Sequence, residues 1–119
     1  MAGLDQAVIE IEAILKGVAR ADATIAYSEL SPQIEAVPLT PDDPLFFALL
    51  DVVSKSSHAD KGVMLSAVVI HAGDDHLPGK GFFWLARQLG HQIADGDLAK
   101  LEFHTKELQA VHRAYGSGF

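Results

Sequence analysis

The sequence predicts an α+β fold: one helix-dominated domain over residues 1–119, with four to five helices and a small sheet. Three observations point there. Several segments carry apolar residues at steps of three and four, the period of a half-buried helix. Only one long β-like run occurs, Met64–His71, rich in Val and Ile at its centre. Helix start and stop residues punctuate the chain, from Thr40-Pro41-Asp42-Asp43-Pro44 to Gly90 and Gly116-Ser117-Gly118.

Taken in order, Leu4 to Arg20 reads as an amphipathic helix, with Leu4, Val8, Ile11, Leu15 and Val18 on one face and Ile14 widening it. Ala23 to Ala26 reads as a very short strand. A short, broken helix from Ser28 to Ile34 follows, with Ser28 as N-cap and Pro32 at a first-turn position. The Thr40–Pro44 cluster starts the next helix, LFFALLDVVSKS, whose buried face is Leu45, Phe46, Leu49, Leu50 and Val53. Ser56 to Gly62 reads as a polar loop. Met64–His71 is the central strand, almost continuously apolar, so both of its faces are expected to be covered. Ala72–Lys80 is a loop, and from Gly81 a helix runs to a Gly90 stop. The last helix runs from Asp95-Gly96-Asp97 to Tyr115, with Leu98, Leu101, Leu108, Val111 and Tyr115 as its stripe and Phe103 off it.

Composition narrows the function classes. The chain has no Cys, so disulfides, thiolate metal sites and a Cys nucleophile are excluded, and a cytoplasmic location is expected. The N-terminal stretch lacks a basic leader and carries Asp5, Glu10 and Glu12, which suits a first helix and not a signal peptide. No apolar run approaches the ~18 residues of a membrane helix. The net charge is −7, whereas binding through phosphates requires a basic face. Asp22, Glu29, Glu35, Asp42, Asp43, Asp51 and Asp60 face only Lys55 and Lys61 between Ala21 and Lys61. Nucleic acid is therefore a poor match, and no membrane association is expected.

The candidate chemistry gathers after the central strand. Gly79, Lys80 and Gly81 form an anion-loop candidate, because backbone N–H groups at a helix start can cradle negative charge. It is not a P-loop. Five residues, not four, separate Gly73 from Gly79, Gly81 stands where a hydroxyl is needed, and Asp74 and Asp75 repel phosphate. Read plainly, the segment is a turn shaped by Gly73 and Pro78-Gly79. His71, Asp74, Asp75 and His76 could ligate a metal through nitrogen and oxygen, in the open kind of site that keeps a water. Their spacing matches no strong signature. Phe82-Phe83-Trp84 spans about 200° of a helix, so the rings cannot all face one core. Phe83, Trp84 and Phe103 are the candidate interaction surface, since aromatics anchor interfaces.

The stretches TIAYSEL, LSAVVI and LPGKGFF together resemble small uncharacterised bacterial proteins of winged-helix-like build. The Thr24–Leu30 segment is similar to a helix entry of winged-helix domains, seen also in alkyltransferase-like DNA-repair proteins. That resemblance implies a winged-helix-like arrangement. It carries no catalytic residue here, because the Pro-Cys-His-Arg element of that family is absent and alkyl transfer is excluded with it.

The expected function is that of a non-enzymatic accessory or regulatory protein acting through macromolecular binding, with a protein partner, self-association and no cofactor. One alternative is a metal-assisted hydrolase built on His71, Asp74, Asp75 and His76. The other is a winged-helix nucleic-acid binder.

Overall fold

A computed structural model describes residues 2–73 and 76–116. Among these, the order is α1 (Ala2–Arg20), β1 (Ile25–Ala26), α2 (Tyr27–Leu30) continued by a 3-10 turn (Ser31–Gln33), α3 (Pro44–Lys61), a 3-10 segment (Leu65–Val68), β2 (Val69–Ile70), α4 (Lys80–Gln88) and α5 (Asp97–Tyr115). The fold is thus helix-dominated α+β. Its sheet is two short parallel strands, with Ile25 opposite Val69 and Ala26 opposite Ile70.

α1 forms where the period predicts it. Its fully buried line is Ala7, Ile11, Leu15 and Ala19, with Leu4, Val8 and Val18 half-buried at the sides. Ile11 and Leu15 fill the middle of that line, and the smaller Ala7 and Ala19 close its two ends. α2 starts one residue before the expected Ser28 cap. The Ala26 N–H is taken by the Glu29 carboxylate at 3.0 Å, and Ser28 sits exposed inside the helix. α3 begins as the sequence signals: Pro44 is its first residue, and the Asp43 carboxylate accepts from the Leu45 N–H at 2.9 Å. Phe46, Leu49, Leu50 and Val53 are buried, but Leu45 is exposed, as is Phe47.

Three expectations are corrected, and one cause connects them. Ser56–Gly62 is not a loop; α3 continues to Lys61 and stops at Gly62, whose φ of 73° suits a residue without a side chain. Met64–His71 is not one strand; Leu65–Val68 is a 3-10 turn and only Val69–Ile70 is extended. The stripe of α5 is not leucine-led; Leu98 is 68% and Leu101 47% exposed, while His104, Glu107, Val111 and Tyr115 are buried. The common cause is how residues 64–68 satisfy their backbone. Glu107 accepts from the Met64 N–H at 2.7 Å. Ser57 Oγ accepts from the Leu65 N–H, and Ser54 Oγ from the Ser66 N–H, each at 2.9 Å. The His104 Nε2–H donates to the Ala67 carbonyl at 2.8 Å, which places that ring's hydrogen on Nε2. Side chains from α3 and α5 therefore do what a neighbouring strand would do. The polar residues that read as loop or solvent-facing are turned inward to serve this segment.

Val63 to Ile70 is buried throughout and lies between α1, α3 and α5. β2 emerges from it beside β1, so its end is delivered next to Tyr27, the first residue of α2. No helix among the described residues is long and apolar enough to cross a membrane.

Candidate functional site

The end of β2, the start of α2, the first half of α3 and the N-terminus of α4 surround a groove of about 390 Å³. That lies within the range of roughly 300–1,000 Å³ typical of small-molecule sites. Its apolar walls are Phe47 and Leu50 from α3 and Phe82 from α4. Its polar lining is Tyr27, Asp51, Ser66, His71 and Lys80, with Gly79 and Gly81 at the mouth of α4.

Each side chain is placed by a local cause. Phe47 and Asp51 are four apart on α3 and so share a face. Tyr27 is fixed by three rings: Phe46 at 6.2 Å and Phe47 at 5.9 Å, both edge-on, and His71 tilted at 4.9 Å. The Tyr27 hydroxyl accepts from the Gly79 N–H at 2.9 Å, which ties the start of α2 to the start of α4. A Cβ at Gly79 would meet His71 Nε2 at 3.4 Å and the Tyr27 hydroxyl at 3.6 Å, so this position suits glycine on packing grounds. His71 is held at its backbone by a bond from its N–H to the Leu77 carbonyl at 2.9 Å. The Ser66 hydroxyl accepts from the Ser54 hydroxyl at the groove's floor.

The electrostatics follow from burial. Desolvation raises the pKa of the Tyr27 phenol; the bond from Gly79 acts against this, and the Asp51 charge adds to it. Tyr27 is therefore a neutral phenol at neutral pH. Desolvation also raises the Asp51 pKa, with Lys55 pulling the other way. Asp51 makes no hydrogen bond and no ion pair among the described residues, and Lys80 likewise makes no ion pair.

Of the residues singled out in the sequence, Gly79, Lys80, Gly81 and His71 come together here. His76 is exposed, with a φ of 50°, and does not line the groove. Asp74 and Asp75 lie outside the described residues, among which no group of three or more His, Asp or Glu side chains could hold a metal ion. The aromatic set divides. Phe83 is buried against Phe82 and Phe103, with Lys100 Nζ 5.8 Å from its ring centroid. Phe103 is half-buried against His91 and Phe82. Trp84 alone of the three is exposed, at 59%.

Sequence reasoning missed Tyr27, Phe47 and Asp51 as site residues. A signal existed for Asp51: it is the one charged residue in the run LFFALLDVV, on the same face as an aromatic one turn earlier. Tyr27 carried none, because its role depends on β1 and β2 lying side by side. Comparison with protein-family models, with curated proteins and with solved structures finds no match to this chain.

Proposed function

We propose that this protein acts by binding and that the groove between α3 and α4 is where its ligand seats. The observation that carries the reading is the convergence of Asp51, His71, Tyr27 and Lys80 on a cavity walled by Phe47, Leu50 and Phe82. Apolar walls with a few fixed polar groups are the usual make-up of a small-ligand site. Among the described residues the groove's hydroxyl groups form no nucleophile–base pair. Ser66 is bonded to Ser54 and not to a base, and the Tyr27 hydroxyl is bonded to a backbone amide. The reading includes an accessory or regulatory role and a cytoplasmic location; the Cys-free composition supports the location alone.

The test is a titration of the isotope-labelled protein with a panel of small neutral and charged aromatic fragments, followed by amide NMR. Shifts concentrated at Asp51 and Gly79–Phe82 support the groove. A Gly81→Trp variant, whose added side chain finds open space at the backbone, places a ring at the groove mouth and should abolish them. Shifts scattered over the surface, or unaffected by Gly81→Trp, overturn the reading.

A macromolecular partner, including a second copy of the chain, is a second reading. It is favoured by one observation, the exposed Trp84 on α4. Sedimentation velocity of the protein and of Trp84→Ala tests it; a monomer at all concentrations removes self-association. The nucleic-acid alternative rests on the motif resemblance and is opposed by the net charge of −7. The metal-assisted alternative rests on His71, Asp74, Asp75 and His76 in the sequence, and metal analysis of the purified protein decides it.

A further inference from the structure

The groove has unmet hydrogen-bonding capacity of both signs. Asp51 is a half-buried carboxylate with no donor directed to it among the described residues. A carboxylate that loses part of its water is stabilised by a nearby cation or donor; Lys55, one turn along α3, acts on Asp51 in that sense, and a ligand cation in the groove adds to it. The same groove is also lined by donors. The Tyr27 hydroxyl, on a residue that is 8% exposed, already accepts from Gly79, and its own proton has no acceptor among the described residues. The first amides of α4, at Lys80 and Gly81, precede the helix's internal bonds, and the Lys80 ammonium makes no ion pair. The two poles share one groove: Asp51, Tyr27, Lys80 and Gly81 all line it, and the Tyr27 hydroxyl touches the start of α4. Beyond them the walls are Phe47, Leu50 and Phe82.

A ligand that meets both poles carries a cation and an anion close together, with an apolar body. A simple anion leaves Asp51 repelling it; a simple cation leaves Lys80 and the α4 amides unused. From this arrangement we infer that the groove takes a zwitterionic amino acid with an apolar or aromatic side chain: the ammonium on Asp51, the carboxylate on Tyr27, Lys80 and the α4 N-terminus, and the side chain against Phe47 and Phe82. This rests on the groove being the ligand site. The 390 Å³ volume holds one such molecule.

The test compares four probes on the unmutated protein by calorimetry and amide NMR: L-phenylalanine, phenethylamine, 3-phenylpropionate and benzyl alcohol. L-Phenylalanine should bind at least tenfold more tightly than each of the other three, with shifts at Asp51 and Gly79–Phe82. Asp51→Asn should weaken L-phenylalanine tenfold or more and leave 3-phenylpropionate no weaker. Lys80→Gln should weaken both carboxylates and leave phenethylamine unchanged. Equal binding of all four probes at those amides overturns the zwitterion and leaves the groove as a site. No shift there from any probe overturns both. The probe comparison requires no variant, so a poorly folding substitution does not decide the outcome.

Discussion

Replacing His104 by Gln should make the protein's stability less sensitive to acid. The imidazole is buried on α5 and donates to the Ala67 carbonyl at 2.8 Å. Burial holds its folded pKa below the ordinary 6.5, with the Ala67 bond acting in the opposite direction. As pH falls through 6.5, the unfolded chain therefore binds the proton first. Stability present above that value is lost progressively on acidification, until the folded pKa is passed. One proton changes the slope by at most about 1.4 kcal/mol per pH unit. At pH 7.5 the Gln amide N–H can replace the imidazole as donor to the Ala67 carbonyl, so the variant should be less stable by only about 1 kcal/mol from altered geometry and packing. Below pH 6.5 the gap should narrow, because only the parent carries the buried base. Urea unfolding of both proteins at pH 7.5, 6.5, 5.5 and 4.5 measures it. Exposed histidines and carboxylates are common to both and cancel in the difference. Stability curves that stay parallel across this range would refute the assignment of acid sensitivity to desolvated His104.

Three further outcomes follow from the packing. Phe46→Ala should cost about 3–5 kcal/mol, because the ring is fully buried, whereas Trp84→Ala at an exposed site should stay within about 0.5 kcal/mol; chemical denaturation separates them. Asp43→Ala removes the acceptor of the Leu45 N–H and should cost about 1 kcal/mol, while Asp43→Asn or Ser largely restores it. Gly62→Ala should cost about 1 kcal/mol although its Cβ meets no atom within 4 Å, since the cost is the strain of a side chain at φ 73°; no change in the denaturation midpoint would count against that.

Much of the helical framework was legible in order. The apolar steps along α1, the Asp43-Pro44 start of α3 and the Gly90 end of α4 all use local rules, and local rules are written in neighbouring residues. The candidate groove was legible only at one edge. Gly79, Lys80 and Gly81 announced a helix start, but nothing near them in sequence names Tyr27 or Asp51.

What the sequence by itself determined is therefore the fold class, the placement of most helices, the acidity and the absence of thiol chemistry. Each depends on composition or on residues within a few positions of one another. What only the tertiary structure decided is the fate of Met64–His71 and of the residues serving it. Val68, Val69 and Ile70 favour an extended chain. The side chains of Ser54, Ser57, His104 and Glu107 nevertheless satisfy residues 64–67, and a 3-10 turn results. Glu107 lies 43 positions from Met64. A donor and acceptor so far apart meet only after α5 has docked, and burial then makes their pairing obligatory. The same docking turns Ser57, from an apparent loop, and Ser54, from the helix before it, into the core, and lays β2 beside β1 so that Tyr27, His71 and Gly79 meet.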